Sequence, residues 1–194
     1  MNQLRILLDR WWVDFRKGNP SADAAYQLLS AQEGIVTHDH IALRTFDHHT
    51  VDIDTVMAPL VSTGYVCKAE YAFPTTHIYS RHYEHDDVTL PKVFISQLEC
   101  HHFSEEIQSH LRHLLSQIPD GVLGQWDFFA TARPWKISFA VYETLRKESE
   151  FAAWVSAFGF QPTHFAVQIN PRMRYCELTT LNALLKQHGF SPNI

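Results

Sequence analysis

The chain has 194 residues, 45% of them hydrophobic, enough to bury one substantial core. A formal net charge of −5 and a pI near 6.2 leave no basic face, which argues against a nucleic-acid partner. No apolar run approaches the roughly 20 residues a bilayer demands, so no membrane partner is expected. The three widely spaced cysteines, Cys67, Cys100 and Cys176, form no CxxC pair and suit a reduced, cytoplasmic setting.

In chain order, residues 3–15 read as an amphipathic helix, because Arg5, Asp9 and Arg10 interrupt its apolar positions in a way no signal segment tolerates. Gly18-Asn19-Pro20 ends it, and a second helix is predicted at about residues 22–31, with Asn19 or Ser21 as cap. A strand through His40 follows, then a helix at about 52–62 and strands at about 65–71, 77–83 and 92–98. Ser104, with Glu105 and Glu106 behind it, opens a helix to about residue 117. Pro119-Asp120-Gly121 signals a turn, residues 148–158 a helix stopped by Gly159, and His164 a further strand. A last helix spans about 177–187.

Two of these segments repeat. His40-Ile41-Ala42-Leu43-Arg44 recurs 124 residues later as His164-Phe165-Ala166-Val167-Gln168. Successive side chains of a strand point to opposite faces, so His40, Ala42 and Arg44 share one face while Ile41 and Leu43 share the other. His164, Ala166 and Gln168 divide from Phe165 and Val167 in the same way. Each copy runs strand, helix, glycine stop: Gly64 lies 24 residues after His40, and Gly189 lies 25 after His164. Only the first copy continues through three more strands, as βαβββ. The expected fold is α+β, a single domain of βαβββ modules forming a curved sheet or half-barrel with helices around it. Its expected parts are N-terminal helices (1–35), a first module (about 36–100), a helical insert (about 101–160) and a second module begun at about 161 and cut short at 194.

Most of the 13 histidines have plain explanations. His110 and His113 fall on one solvated helix face, and His48-His49 and His101-His102 fall in loops. His38, two residues from His40, is a weaker candidate for the same strand face. His40 and His164 stand apart because the repeat places them equivalently. Two neutral imidazoles converging from related strands begin a divalent metal site, which one carboxylate completes as an open 2-His-1-carboxylate face. Arg44 lies about 13 Å along the strand from His40 at roughly 3.3 Å per residue. It is read either as the binding group for a substrate carboxylate or as half of an internal salt bridge. GxSxG, Walker, GxGxxG and HExxH patterns are absent.

The block from Asp39 through Phe46, the strand from Pro91 through Leu98, and Thr163-His164-Phe165-Ala166 with Leu181-Asn182 and Gly189-Phe190 resemble the 2-oxoadipate dioxygenase/decarboxylase family. That family was long catalogued as a domain of unknown function, and some of its members carry a provisional hydrolase label. The resemblance covers most of the chain from about Trp11 and implies a vicinal-oxygen-chelate-like fold. It implies an Fe(II) enzyme that turns a 2-oxo diacid such as 2-oxoadipate, with O₂, into 2-hydroxyglutarate and CO₂ in lysine breakdown. His40 and His164 would be the histidine ligands, with Zn or Ni able to occupy the site in a purified sample, and Arg44 would hold a substrate carboxylate. The family's third ligand, a glutamate, is expected beyond Ile194, with Glu99 as the substitute within the chain. Gln97 stands where members often have Glu. The expected partners are the 2-oxo acid and O₂, with a homo-oligomer left open. The alternatives are a metal-dependent hydrolase and a non-catalytic ligand-binding module of the same fold.

Overall fold

Leu4, Leu7, Leu8 and Trp11 fall at helical spacing, and their burial makes α1 (Gln3–Gly18) an amphipathic helix against the sheet. In the computed structural model, which describes residues 3–119, 121–122, 125–126, 133–170 and 173–191, it runs on to Gly18. Pro20, with no amide hydrogen to lose, opens α2 (Pro20–Glu33). Neither expected cap acts: Asn19 Nδ2 donates back to the Phe15 carbonyl, and Ser21 lies inside the helix.

Next come β1 (His38–Phe46), α3 (Ile53–Val61), β2 (Val66–Phe73), β3 (Ile78–Glu84) and β4 (Lys92–Leu98), in the expected βαβββ order. Two side chains satisfy the first free amides of α3: Asp52 accepts from Thr55 N and Gln97 Oε1 from Ile53 N. Gln97 thus has a structural task that a neutral amide oxygen performs. Tyr65 and His77 fall outside the strands predicted to begin with them. Tyr65 is buried and donates its hydroxyl to the Pro91 carbonyl at 2.7 Å, while His77 adopts φ 53° in the turn between β2 and β3.

The sheet order is β2-β3-β4-β1-β5, with β1 parallel to β4 and antiparallel to β5 (His164–Val167). Its two faces differ. Ile41 and Leu43 of β1, Val93 and Ile95 of β4 and Tyr83 of β3 are buried on the core side. His40, Ala42, Arg44, His82, Phe94 and Ser96 alternate with them and are only half-buried on the other. This alternation creates a polar face beside a dry one.

α4 (Glu105–Leu115) begins at Ser104, whose Oγ accepts from Ile107 N. The helix expected at 148–158 is present as α6 (Glu150–Phe158), and another precedes it. The unforeseen α5 (Phe139–Glu148) and α6 meet at Ser149, whose extended backbone (φ −148°, ψ 108°) breaks the helical path. Ser149 Oγ then caps α6 by accepting from Ala152 N. α7 (Leu178–Gln187) packs Leu181 and Leu184 with Leu29 of α2 and Val36 in a small separate cluster. β5 and α7 are the parts of the second copy seen among the described residues. Asp120, in the predicted turn, lies outside those residues. The three cysteines are free thiols, and no described helix is long and apolar enough to cross a membrane.

Candidate functional site

The repeat acquires its meaning where β1 meets β5. His40 pairs with Ala166, Ile41 with Phe165 and Ala42 with His164, so equivalent positions exchange about a local two-fold axis through the Ile41–Phe165 pair. Side chains that face the same way beside such an axis must meet. The His40 and His164 rings lie 5.4 Å apart, nearly perpendicular at 82°, with their Nε2 atoms 3.3 Å from each other.

Their other nitrogens set the tautomers. The Asp39 carboxylate accepts a hydrogen bond from His40 Nδ1–H at 2.8 Å, which leaves the Nε2 lone pair directed at His164. His164 Nδ1 meets Thr163 Oγ1 at 3.3 Å. His40, with Lys92, holds the Asp39 carboxyl below its ordinary range. Burial, then the charges of His40 and Arg44, push the His164 imidazole down and favour its neutral, lone-pair form.

The pair fits a divalent cation. One ion about 2.1 Å from each Nε2 would subtend about 105° across their 3.3 Å separation, near the angle of tetrahedral ligation. Both Nε2 atoms face that point, and a carboxylate supports His40 from behind, as is usual for metal-bound histidines. Among the described residues no group of three histidine, cysteine, aspartate or glutamate side chains is arranged around it. Glu99 is far from the pair: β1 and β4 are parallel with His40 beside Lys92, so Glu99 lies seven residues further on, about 23 Å along the strand. It cannot share an ion with His40.

His38 does not join the pair. A bulge between His38 and His40 makes Asp39 the extra residue and turns His38 to the opposite side, among Trp12 (4.5 Å), Phe165 (5.0 Å) and Tyr26 (6.1 Å). The same bulge lets Asp39, which simple alternation would send away from His40, bond its neighbour's ring. Strand periodicity could find neither residue's placement.

Arg44 forms no internal salt bridge among the described residues. Its guanidinium instead lies 4.8 Å from the Phe151 ring and 5.1 Å from the Trp154 ring, both on α6. Burial lowers its proton affinity, the signature of a cation held short of water. Arg44 and Phe151 border a cavity of about 590 Å³, which also touches His77, His102 and Glu150. Phe94 forms the wall between the ends of the polar face, 5.2 Å from the His40 ring and stacked at 4.5 Å on His82. The sequence carried no signal for these aromatic contacts, since they join elements over 50 residues apart or depend on strand register. His110 and His113 lie on α4, where His110 faces Glu106 at 3.9 Å, and His101 and His102 form a single 3-10 turn.

A mixed sheet with a βαβββ module, and a histidine pair on a pseudo-two-fold axis, place the chain in the class of vicinal-oxygen-chelate-like folds. No family model matches the chain. It is 37% identical to a solved structure from Shewanella frigidimarina NCIMB 400, provisionally named a hydrolase, with a TM-score of 0.92 over 97% of this chain and 74% of that one. A glyoxalase-superfamily structure from Ralstonia eutropha JMP134 superposes with a TM-score of 0.77 at 19% identity, over 94% of this chain and 65% of the other. The 2-oxoadipate dioxygenase/decarboxylase of Arabidopsis thaliana is 25% identical over 97% of this chain and 55% of its own length. The Oryza sativa hydroxyglutarate synthase, solved in complex with 2-oxoadipate, has a TM-score of 0.90 at 22% identity, over 97% of this chain and 65% of its own. Over nearly its whole length the chain is thus similar to proteins named 2-oxoadipate dioxygenase/decarboxylase and hydroxyglutarate synthase. It spans about half the length of the curated relatives it matches.

Proposed function

We propose that this chain carries metal- and substrate-binding residues of an Fe(II)-dependent dioxygenase/decarboxylase acting on a 2-oxo diacid such as 2-oxoadipate, with O₂ as co-substrate and 2-hydroxyglutarate and CO₂ as products. The observation that carries the reading is the meeting of His40 and His164 on the axis of the repeat, with Nε2 atoms 3.3 Å apart. Fe(II) held there would supply chelation of the 2-oxo acid and activation of O₂.

The chain's own residues do the rest. Asp39 keeps the His40 proton on Nδ1, so that Nε2 is free to ligate. Arg44, unpaired and partly desolvated, receives a substrate carboxylate, which restores the counter-charge that no described residue provides. Phe94 walls the face beside His40 and helps keep water from the reacting carbons. Binding a diacid at both ends fixes its reacting end relative to the histidines.

The test is an anaerobic titration with Fe(II) and 2-oxoadipate, followed by the visible charge-transfer band of a 2-oxo acid chelated to ferrous iron. A saturable band that disappears in His164→Ala supports the proposal. No band in the unmodified chain refutes it for these residues.

A further inference from the structure

We propose that Phe151 and Trp154 are positioning residues that aim Arg44 at the distal carboxylate of the substrate, so that α6 sets the preference for dicarboxylates over monocarboxylates. The inference rests on the proposed reading of Arg44 as a carboxylate-binding group and adds what makes that group selective.

Arg44 stands four residues from His40 on the same face of β1, about 13 Å along the strand. It therefore serves the end of a ligand remote from the histidine pair. Arginine has several rotatable bonds, and an unrestrained guanidinium would sweep the cavity mouth and lose that freedom on binding. Here two rings hold it, at 4.8 Å and 5.1 Å, and no described carboxylate forms an ion pair with it, although Glu148 and Glu150 border the same cavity. Ring faces attract the cation without neutralising it, so the guanidinium is fixed yet still able to receive an anion. The two aromatic residues are three apart on α6, one helical turn, which puts them on the same side of the helix. Ser149 fixes where that turn begins. Both rings are half-buried and pack against the rim of the core that Ala152, Ala153 and Val155 enter.

The experiment measures calorimetric Kd values of the metal-free chain for 2-oxoadipate and for 2-oxohexanoate, which lacks the distal carboxylate. The unmodified chain is expected to prefer 2-oxoadipate. Trp154→Leu and Phe151→Leu should each weaken 2-oxoadipate about tenfold while leaving 2-oxohexanoate within about twofold, as loss of one partly desolvated cation–π contact implies. Trp154→Phe, which keeps a ring, should recover most of the affinity and serves as the folded control if a leucine variant does not fold. Wild-type 2-oxoadipate affinity in both leucine variants would overturn the positioning role. Equal weakening for both acids would also overturn it, since that marks general damage to the fold. If Arg44→Gln leaves 2-oxoadipate binding unchanged, the carboxylate role of Arg44 fails, and the inference with it. Loss in Arg44→Gln but not in the leucine variants would refute the inference alone.

Discussion

Divalent cation should stabilise this chain against heat, and His164→Ala should abolish the effect while lowering the metal-free melting temperature by no more than about 2 °C. The pair is assembled only by the β1–β5 pairing, because its members are 124 residues apart in sequence, so the unfolded chain has no equivalent site. A ligand binding only the native state adds RT ln(1 + [L]/Kd), about 2.7 kcal/mol at one hundred times Kd. For a domain of this size, 1 kcal/mol moves the midpoint by roughly 2–4 °C, so the expected rise is about 5–11 °C. His164 stands at the exposed start of a four-residue edge strand, and its loss should cost no more than about 0.5 kcal/mol in metal-free protein. The assay is differential scanning calorimetry with Ni(II) or Zn(II), redox-inert substitutes for Fe(II). No shift at saturating metal, or an undiminished shift in His164→Ala, would refute the reasoning. The second result would assign the binding to another group, such as His48 with His49, whose rings lie 4.3 Å apart.

Three further outcomes follow from the packing. Burial, first among the causes, lowers the pKa values of His38, His48 and His82 in the fold, so below the ordinary value of about 6.5 the unfolded chain takes up protons first. Their contribution to stability is complete above that pH and is lost as pH falls through the folded values; urea unfolding at pH 7.5 and 5.5 should show a decline, and equal or greater stability at pH 5.5 would contradict it. Gly64→Ala should cost about 1–3 kcal/mol, because φ is +113° and the new Cβ would lie 2.8 Å from His85 Nε2. That ring cannot easily move, being held by Thr63 O at 2.9 Å and Asp87 N at 2.8 Å, and an unchanged urea midpoint would rule the strain out. Ser149→Ala removes the cap of α6 and should cost about 1 kcal/mol by the same measurement, whereas no loss would mean that the corner between α5 and α6 is held by packing alone.

Local chemistry made much of the fold legible in the sequence. The bounds of β4 matched the pattern, as did the start of α4 at Ser104, because alternation and capping act over two to four residues. The spacing of the two His-x-Ala segments was also a property of the sequence alone, and it foretold two equivalent strand faces. That those faces meet was decided by β1–β5 pairing, since a two-fold axis exists only once the strands lie side by side. Tertiary structure alone turned His38 away through a bulge, sent Glu99 to the far end of β4 and surrounded Arg44 with rings from α6 rather than a carboxylate. The division has one physical cause. Hydrogen bonding and side-chain periodicity near a residue are written in its neighbours, whereas register and crossing contacts depend on which distant surfaces bury each other.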